Sequence, residues 1–139
     1  MIILSKKVAI VAGEYHKETV EQMLNEADSA LAKHNLSLFD ICWVPGSMEK
    51  PLALKRFLKL DEVDAAVVLG VIEKGETMHG EIMGHSVVNA ILSLQLEFMK
   101  PIGVGIIGPG VNDNQIEERI VPYARNAVKA VASMLSLDS

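Results

Sequence analysis

The sequence is poor in cysteine, in aromatic residues and in positive charge. Its 139 residues include one cysteine, Cys42, and only 4% of them are Phe, Trp or Tyr. A single cysteine excludes an internal disulfide and any zinc site built from cysteines. The formal net charge of −5 gives no overall attraction to nucleic acid, and no basic stripe with interleaved aromatics is present. We therefore expect no nucleic-acid partner.

Long hydrophobic runs and a leader pattern are also missing. No uninterrupted apolar run approaches the roughly 20 residues that a membrane helix needs. Residues 1–7 are too short for a signal peptide, and their lysines follow the apolar residues. We therefore expect a cytoplasmic protein that does not bind a membrane.

Aliphatic residues are abundant. Half of the sequence is apolar, and the scarcity of aromatics leaves mainly aliphatic side chains to build the core. A chain of this length buries a real core, so we expect one domain spanning residues 1–139. An aliphatic excess in a small domain also favours an exposed apolar patch that binds another copy of the same chain.

Apolar runs alternate with helical patterns along the chain. Runs typical of strands covered on both faces occur at residues 8–12, 38–44, 65–69 and 102–107. Helical spacing follows each run, and Pro122 predicts a kink or break in the last helix. Four strand–helix rounds predict an α/β fold: a three-layer αβα sandwich whose four-stranded parallel sheet has the flavodoxin-like order 2-1-3-4.

Four glycine- or proline-containing loops follow the predicted strands, at residues 13–16, 45–49, 70–79 and 108–110. In a sheet of this order, ligands bind outside the carboxyl ends of the strands, where strand one meets strand three. All four loops fall at that edge, the last as a turn that closes strand four. Their convergence predicts a small-molecule site.

The third loop joins a buried strand to a helix that begins near Met78. The start of a helix presents backbone N–H groups and a positive dipole end, which suit an anion. His79 falls in the first turn, where an imidazole is suited to proton transfer. A tight strand-to-helix turn with a solvated histidine explains the residue types equally well.

The other candidate side chains have two interpretations each. Tyr15 either stacks on a planar ring or lies on the surface. Glu49 either starts a helix favourably or accepts hydrogen bonds from ligand hydroxyls. Arg119 either holds a phosphate or pairs with a neighbouring glutamate. Three histidines have no partner that the sequence identifies: His16, His34 and His85. No phosphate-binding or dinucleotide glycine motif and no metal-ligand spacing is present.

Two motifs together resemble 6,7-dimethyl-8-ribityllumazine synthases, which catalyse the penultimate step of riboflavin synthesis. They are Pro-Gly-x-x-Glu-x-Pro at residues 45–51 and Gly-Glu-Thr-x-His at residues 75–79. The resemblance covers nearly the whole chain in matching order, including Tyr15, Gln115 and Arg119. The loop at residues 107–110 is more similar to archaeal members than to bacterial ones.

The resemblance implies condensation of 5-amino-6-(D-ribitylamino)uracil with 3,4-dihydroxy-2-butanone 4-phosphate, without a metal or other cofactor. It implies proton transfer by His79. For the pyrimidine, it implies that Tyr15 stacks on the ring and that Ile72 and Glu73 meet its edge. It implies that Ser47 and Glu49 bind the ribityl chain and that Met48 and Val104 complete the pocket. The residues that it implies for phosphate binding are Gly75, Glu76, Thr77 and Arg119. It also implies a homo-oligomer, either a pentamer or a 60-subunit shell of pentamers, with active sites between neighbouring chains.

Some positions depart from the family pattern. Glu73 stands where an aliphatic residue is usual, and Met48 where bacterial members often have Phe. Near the last helix, where many members have a lysine beside the ring and an acidic residue one turn later, this chain has Asn126 and Lys129. Two alternatives therefore stay open: an archaeal-type riboflavin synthase, which joins two lumazine molecules, and a non-catalytic flavin- or lumazine-binding or shell-forming relative.

Overall fold

The structure is a computed structural model that describes residues 4–73 and 78–137. Its four strands and five helices follow one another in this order: β1 (Lys7–Gly13), α1 (Lys17–Lys33), β2 (Ser37–Val44), α2 (Lys50–Leu58), β3 (Ala65–Glu73), α3 (His79–Phe98), β4 (Ile102–Val111), α4 (Asp113–Ile116) and α5 (Ile120–Leu137). Two 3-10 turns, Ser47–Glu49 and Glu117–Arg119, precede α2 and α5.

The four strands form one parallel sheet in the order β2-β1-β3-β4. This confirms the predicted α/β sandwich and its order. Ile10 lies at the centre of the sheet, beside Ile41 of β2 and Val67 of β3. The connections that follow β1 and β3 lead to helices on opposite faces of the sheet, α1 and α3. The two loops therefore diverge and leave a crevice at the carboxyl edge.

Helices cover both faces of the sheet. The odd-numbered residues of β3, such as Val67 and Leu69, pack in one cluster with α1 and α5. The alternate residues, such as Val68, pack in a second cluster with α2 and α3. Because successive side chains of a strand point to opposite faces, two covered faces require an uninterrupted apolar run. This explains the uninterrupted apolar run at residues 65–69.

The α3 helix begins at His79, as the sequence predicts. Its buried residues follow helical spacing: Gly84, Val87, Ile91 and Leu94. Ile82 precedes this stripe and is 62% exposed. The helix therefore faces the sheet through a stripe that begins with Met83, which packs against the core.

Strands β3 and β4 both extend beyond the predicted ends. β3 continues through Gly70 to Glu73, and β4 continues to Val111, which pairs with Glu73. The prediction of a turn at residues 108–110 is wrong. These residues form an irregularity within β4, where Gly108 has a φ of 102° and the Gly108–Pro109 peptide is cis. Glycine makes the positive φ accessible at little cost.

The last helical stretch is broken upstream of Pro122. The short α4 begins after Asn112, whose N–H donates to Oε1 of Gln115 at 2.8 Å in a capping box. A 3-10 turn follows, and α5 starts at Ile120. Pro122 therefore lies in the first turn of α5, where its missing N–H removes no helical hydrogen bond. In the part of the chain that the structure describes, no helix is long and apolar enough to cross a membrane.

Candidate active site

A cavity of about 390 Å³ opens at the carboxyl edge of β1 and β3. It lies at the crevice that the strand order predicts. Its lining comes from two loops, one strand end and one helix start. The residues are Tyr15 after β1; Pro45, Gly46, Ser47, Met48 and Glu49 after β2; Val71, Ile72 and Glu73 at the end of β3; and His79, Gly80 and Met83 in α3. Seven of the site residues predicted from the sequence therefore share one cavity.

The first turn of α3 forms one wall of the cavity. His79 is the first residue of this 20-residue helix. The N-cap residue is Met78, and among the described residues no side-chain capping hydrogen bond is made there. The N–H groups of a first helical turn have no partner within the helix. Together with the helix dipole they make this wall suited to an anionic group beside the imidazole of His79.

The loop after β1 is fastened to the end of β3. The hydroxyl of Tyr15 donates to Oε2 of Glu73 at 3.3 Å, and Nε2 of His16 lies 2.7 Å from the same oxygen. The two rings contact each other edge to face, with centroids 4.5 Å apart. His16 has a φ of 56°, a left-handed conformation in which histidine is enriched among non-glycine residues. Tyr15 is 56% exposed, and these contacts fix its position at the surface of the cavity.

Glu73 and Tyr15 influence each other's ionisation. The hydrogen bond from His16, with a smaller contribution from Asp113, lowers the pKa of the Glu73 carboxyl from its ordinary value. The negative charge of Glu73 raises the pKa of the Tyr15 hydroxyl. Near neutral pH the site therefore holds a carboxylate that accepts two hydrogen bonds and a tyrosine that stays protonated.

The loop after β2 presents a buried serine and an exposed glutamate. Ser47 is 8% exposed, whereas Met48 is 64% exposed at the mouth of the cavity. Glu49 directly precedes α2, but its side chain makes no capping hydrogen bond among the described residues. The carboxylate lines the cavity and also lies at the start of α2, a position compatible with both of its interpretations.

Two side chains that contact residues of the cavity lining were not predicted from the sequence. His16 had no identifiable partner, because Glu73 lies 57 positions away in the chain. Lys50 is 1% exposed beneath the cavity, and its Nζ donates to Oγ of Ser47 at 3.2 Å. Burial lowers the pKa of this amine to about 8. The one sequence signal for Lys50 is its place inside the proline–glycine motif, where a solvated lysine is the default expectation.

Other predicted site residues lie elsewhere. Arg119 is not among the residues that line the cavity, and its Nη1 contacts the carbonyl oxygen of Gln115 and Oε1 of Glu118, both at 2.7 Å. Val104 lies midway along the edge strand β4, where it pairs with Val68, and is 37% exposed. The predicted phosphate-loop residues Gly75, Glu76 and Thr77 lie outside the described residues.

The cavity has the polarity of an organic ligand site. It combines aliphatic walls with a few polar groups from separate elements, the pattern by which small molecules are bound and oriented. Among residues 4–73 and 78–137, no group of three or more His, Cys, Asp or Glu side chains is arranged to hold a metal ion. Fold and cavity thus define an α/β protein with a small-molecule site at the switch point of its sheet.

Comparison with known proteins gives the family within this class. The family model for 6,7-dimethyl-8-ribityllumazine synthase matches residues 5–139. Similar proteins of that name occur in Metallosphaera sedula, with 39% identity over 94% of this chain and 86% of the relative, and in Staphylothermus marinus, with 37% identity over 94% and 87%. A third, from Saccharolobus solfataricus, is 37% identical over 94% of this chain and 85% of its own length. The chain belongs to the 6,7-dimethyl-8-ribityllumazine synthase family.

Proposed function

We propose that the protein makes 6,7-dimethyl-8-ribityllumazine from 5-amino-6-(D-ribitylamino)uracil and 3,4-dihydroxy-2-butanone 4-phosphate. An amine of the pyrimidine attacks the ketone and water leaves, which gives an imine. Phosphate is then eliminated, and the second nitrogen closes the ring with loss of another water. The observation that carries the proposal is the meeting of Tyr15, Ser47, Glu49 and His79 in one cavity of a protein of this family.

Each group has a task that its surroundings support. The Tyr15 ring, held at its hydroxyl by Glu73, is suited to stacking on the flat pyrimidine. Ser47 and Glu49 offer a hydroxyl and a carboxylate to the ribityl hydroxyls. His79 exchanges protons with the imine and the departing groups, because an imidazole changes charge near neutral pH. The N–H groups of the first α3 turn attract the phosphate.

Glu73 departs from the aliphatic residue usual at its position, yet its contacts are compatible with this function. A bare carboxylate would repel the phosphate of the butanone substrate. Here, however, Oε2 accepts hydrogen bonds from both His16 and Tyr15. A carboxylate engaged in this way fastens the stacking loop, and the two hydrogen bonds it accepts offset part of its field.

We also propose that the cytoplasmic enzyme assembles at least as a pentamer whose sites lie between neighbouring chains. Five large aliphatic side chains are exposed near the carboxyl ends of α3 and α5, beside the edge strand β4: Leu92, Leu96, Met99, Met134 and Leu137. Such a patch favours a subunit interface. In this arrangement Val104 and Arg119, which are not in the cavity of their own chain, serve the cavity of a neighbour.

Four incubations of the purified protein test the proposed reaction. Both substrates together, each alone, and lumazine alone are followed by the absorbance of lumazine and riboflavin. We expect lumazine only from the pair, and no riboflavin from lumazine. Riboflavin formed from lumazine alone would identify a riboflavin synthase instead. Binding without any product would identify a non-catalytic member of the family.

Size exclusion coupled to light scattering tests the assembly. We expect a particle of at least five times the chain mass of 15.1 kDa. A particle near sixty times that mass would indicate a closed shell of twelve rings. A stable and active monomer at micromolar concentration would contradict the shared site.

A further inference from the structure

Lys50 occupies an unusual position for a lysine. It is the first residue of α2, and its side chain runs under the crevice between β1 and β3 with an exposure of 1%. Lysine is almost never fully buried unless it is paired. Within residues 4–73 and 78–137, no carboxylate forms an ion pair with Lys50. The amine is thus held in the protein by packing and by one hydroxyl.

Two glycines provide the space for the amine. A Cβ atom on Gly13, at the end of β1, would lie 3.1 Å from Cε of Lys50 and 3.3 Å from Nζ. A Cβ atom on Gly70 of β3 would collide with Nζ and lie 2.9 Å from Cε. Both strands therefore lack a side chain where the lysine passes. The amine lies at the switch point, next to Ser47 of the cavity lining.

The contact between Lys50 and Ser47 fixes the direction of a proton. Nζ donates to Oγ of Ser47 at 3.2 Å, and an ammonium has no lone pair with which to accept in return. The hydroxyl proton of Ser47 must then point away from Lys50. Since Ser47 lines the cavity, this proton can be donated to a ligand bound there.

We propose that Lys50 is a positioning residue that makes Ser47 a hydrogen-bond donor to the polyol chain of the substrate. The inference rests on the proposed function, because the ribityl chain supplies the hydroxyl oxygens that accept this proton. Lys50 then selects pyrimidines that carry a polyol over those that carry an alkyl chain. A committed donor favours a ligand that supplies an acceptor over one that leaves the donor to water, by about the worth of one hydrogen bond.

The selection should depend on pH. Burial lowers the pKa of Lys50 to about 8. Above this value the neutral amine has a lone pair, so the Ser47 hydroxyl can turn and donate to Nζ instead of to the ligand. The titratable groups on the segments around the amine are Glu14 after β1, Glu49 before α2, Glu73 at the end of β3 and His79 at the start of α3. Ser47→Ala separates their effects from that of Lys50, because it removes the hydroxyl alone.

Binding titrations with two ligands test this role. One ligand is the ribityl-bearing pyrimidine substrate, and the other is the same pyrimidine with an ethyl group in place of the ribityl chain. Both are titrated calorimetrically into the full-length wild type, Lys50→Met, Ser47→Ala and the double variant at pH 7. Methionine has a similar length and no charge, so it suits the buried channel.

We expect each single variant to bind the ribityl ligand about two- to tenfold more weakly, the range of one neutral hydrogen bond. Binding of the ethyl ligand should stay within about twofold of wild type. The double variant should lose no more than either single variant, since both remove the same donor. Equal loss for both ligands, no loss, or additive losses would overturn the role of Lys50.

The pH dependence gives a second route if Lys50→Met does not fold. In the wild type, the preference for the ribityl ligand should fall as the pH rises from 7 to 9, whereas in Ser47→Ala it should not change. A constant preference in the wild type would overturn the proposal. The titrations require no turnover. A wild type that binds the ribityl ligand but forms no product overturns only the proposed reaction, and one that binds neither ligand overturns both.

Discussion

Nε2 of His16 lies 2.7 Å from Oε2 of Glu73 and thereby joins the loop after β1 to the end of β3. The same oxygen accepts a hydrogen bond from Tyr15. One carboxylate therefore positions the aromatic ring at the mouth of the cavity. The attachment depends on the carboxylate of Glu73, which an aliphatic residue at this position would not supply.

The charge of Glu73 should be measurable at Tyr15. Glu73→Gln removes the negative charge that raises the pKa of the Tyr15 hydroxyl, so that pKa should fall toward its ordinary value of about 10. The chain has two tyrosines. The titration is therefore read from tyrosinate absorbance in a Tyr123→Phe background, with and without the Glu73 change. An unaltered Tyr15 pKa would show that the carboxylate does not act on the ring.

Much of this site was predictable from local patterns. The uninterrupted apolar run of β3 and the residue types at its end place a ligand-binding edge there, and the spacing after Met78 gives the start of α3 at His79. The strand order follows from the alternation of strands and helices, because crossover connections restrict a parallel sheet to few arrangements. These features depend on short stretches of chain or on general topology.

Other features depend on pairs of distant residues. Gly108 and Pro109 read locally as a turn, but pairing of Val111 with Glu73 keeps them within β4. Lysine is expected on the surface, yet Lys50 is accommodated by Gly13 and Gly70, which lie on two other elements. No spacing rule relates such residues before the fold is known. The errors therefore lie where tertiary contacts override a local preference.

His79→Ala should slow turnover and leave pyrimidine binding largely intact. The expected loss in kcat is about 100-fold or less, since general acid–base catalysis contributes from about that value upward and water can supply protons to imine formation slowly. Steady-state rates from pH 6 to 8 measure the effect. His85→Ala is the matched control, because His85 lies on the same helix and is exposed. Wild-type rates in the His79 variant across this range would refute the catalytic role.

Arg119→Ala should raise the KM for the butanone phosphate far more than the KM for the pyrimidine. Only the first substrate carries a phosphate, and a charged hydrogen bond contributes roughly 1.5–3 kcal/mol, which corresponds to about tenfold or more. Arg56→Ala removes the same charge from the exposed side of α2 and should leave both KM values unchanged. Equal increases for the two substrates would assign Arg119 a role in the fold instead.

Lys50→Met should increase the free energy of unfolding at pH 7. The cost of burying the ammonium exceeds the gain from its hydrogen bond to Ser47, so we expect an increase on the order of 2 kcal/mol per chain. Urea titrations at a fixed protein concentration, monitored by the fluorescence of Trp43, measure the difference. Lys59→Met, at the exposed end of α2, is the control for a changed surface charge.

The advantage of Lys50→Met should shrink as the pH rises. Burial lowers the pKa of Lys50 from 10.5 in the unfolded chain to about 8. Between these values the unfolded chain holds a proton that the folded protein has released, so the wild type gains stability with increasing pH. A difference between wild type and Lys50→Met that stays constant from pH 7 to 10 would show that the amine is not buried as described.

Complementation between two impaired variants, assayed at a butanone phosphate concentration well below its KM, tests the shared lumazine synthase site most directly. His79→Ala and Arg119→Ala chains, each with its own affinity tag, are produced together, and assemblies that carry both tags are isolated. If His79 and Arg119 of one site come from adjacent chains, about a quarter of the sites in randomly mixed rings regain both side chains. We therefore predict that mixed assemblies form lumazine from the two substrates at close to a quarter of the wild-type rate. Activity no higher than the average of the separate variants would contradict a site shared between neighbouring chains.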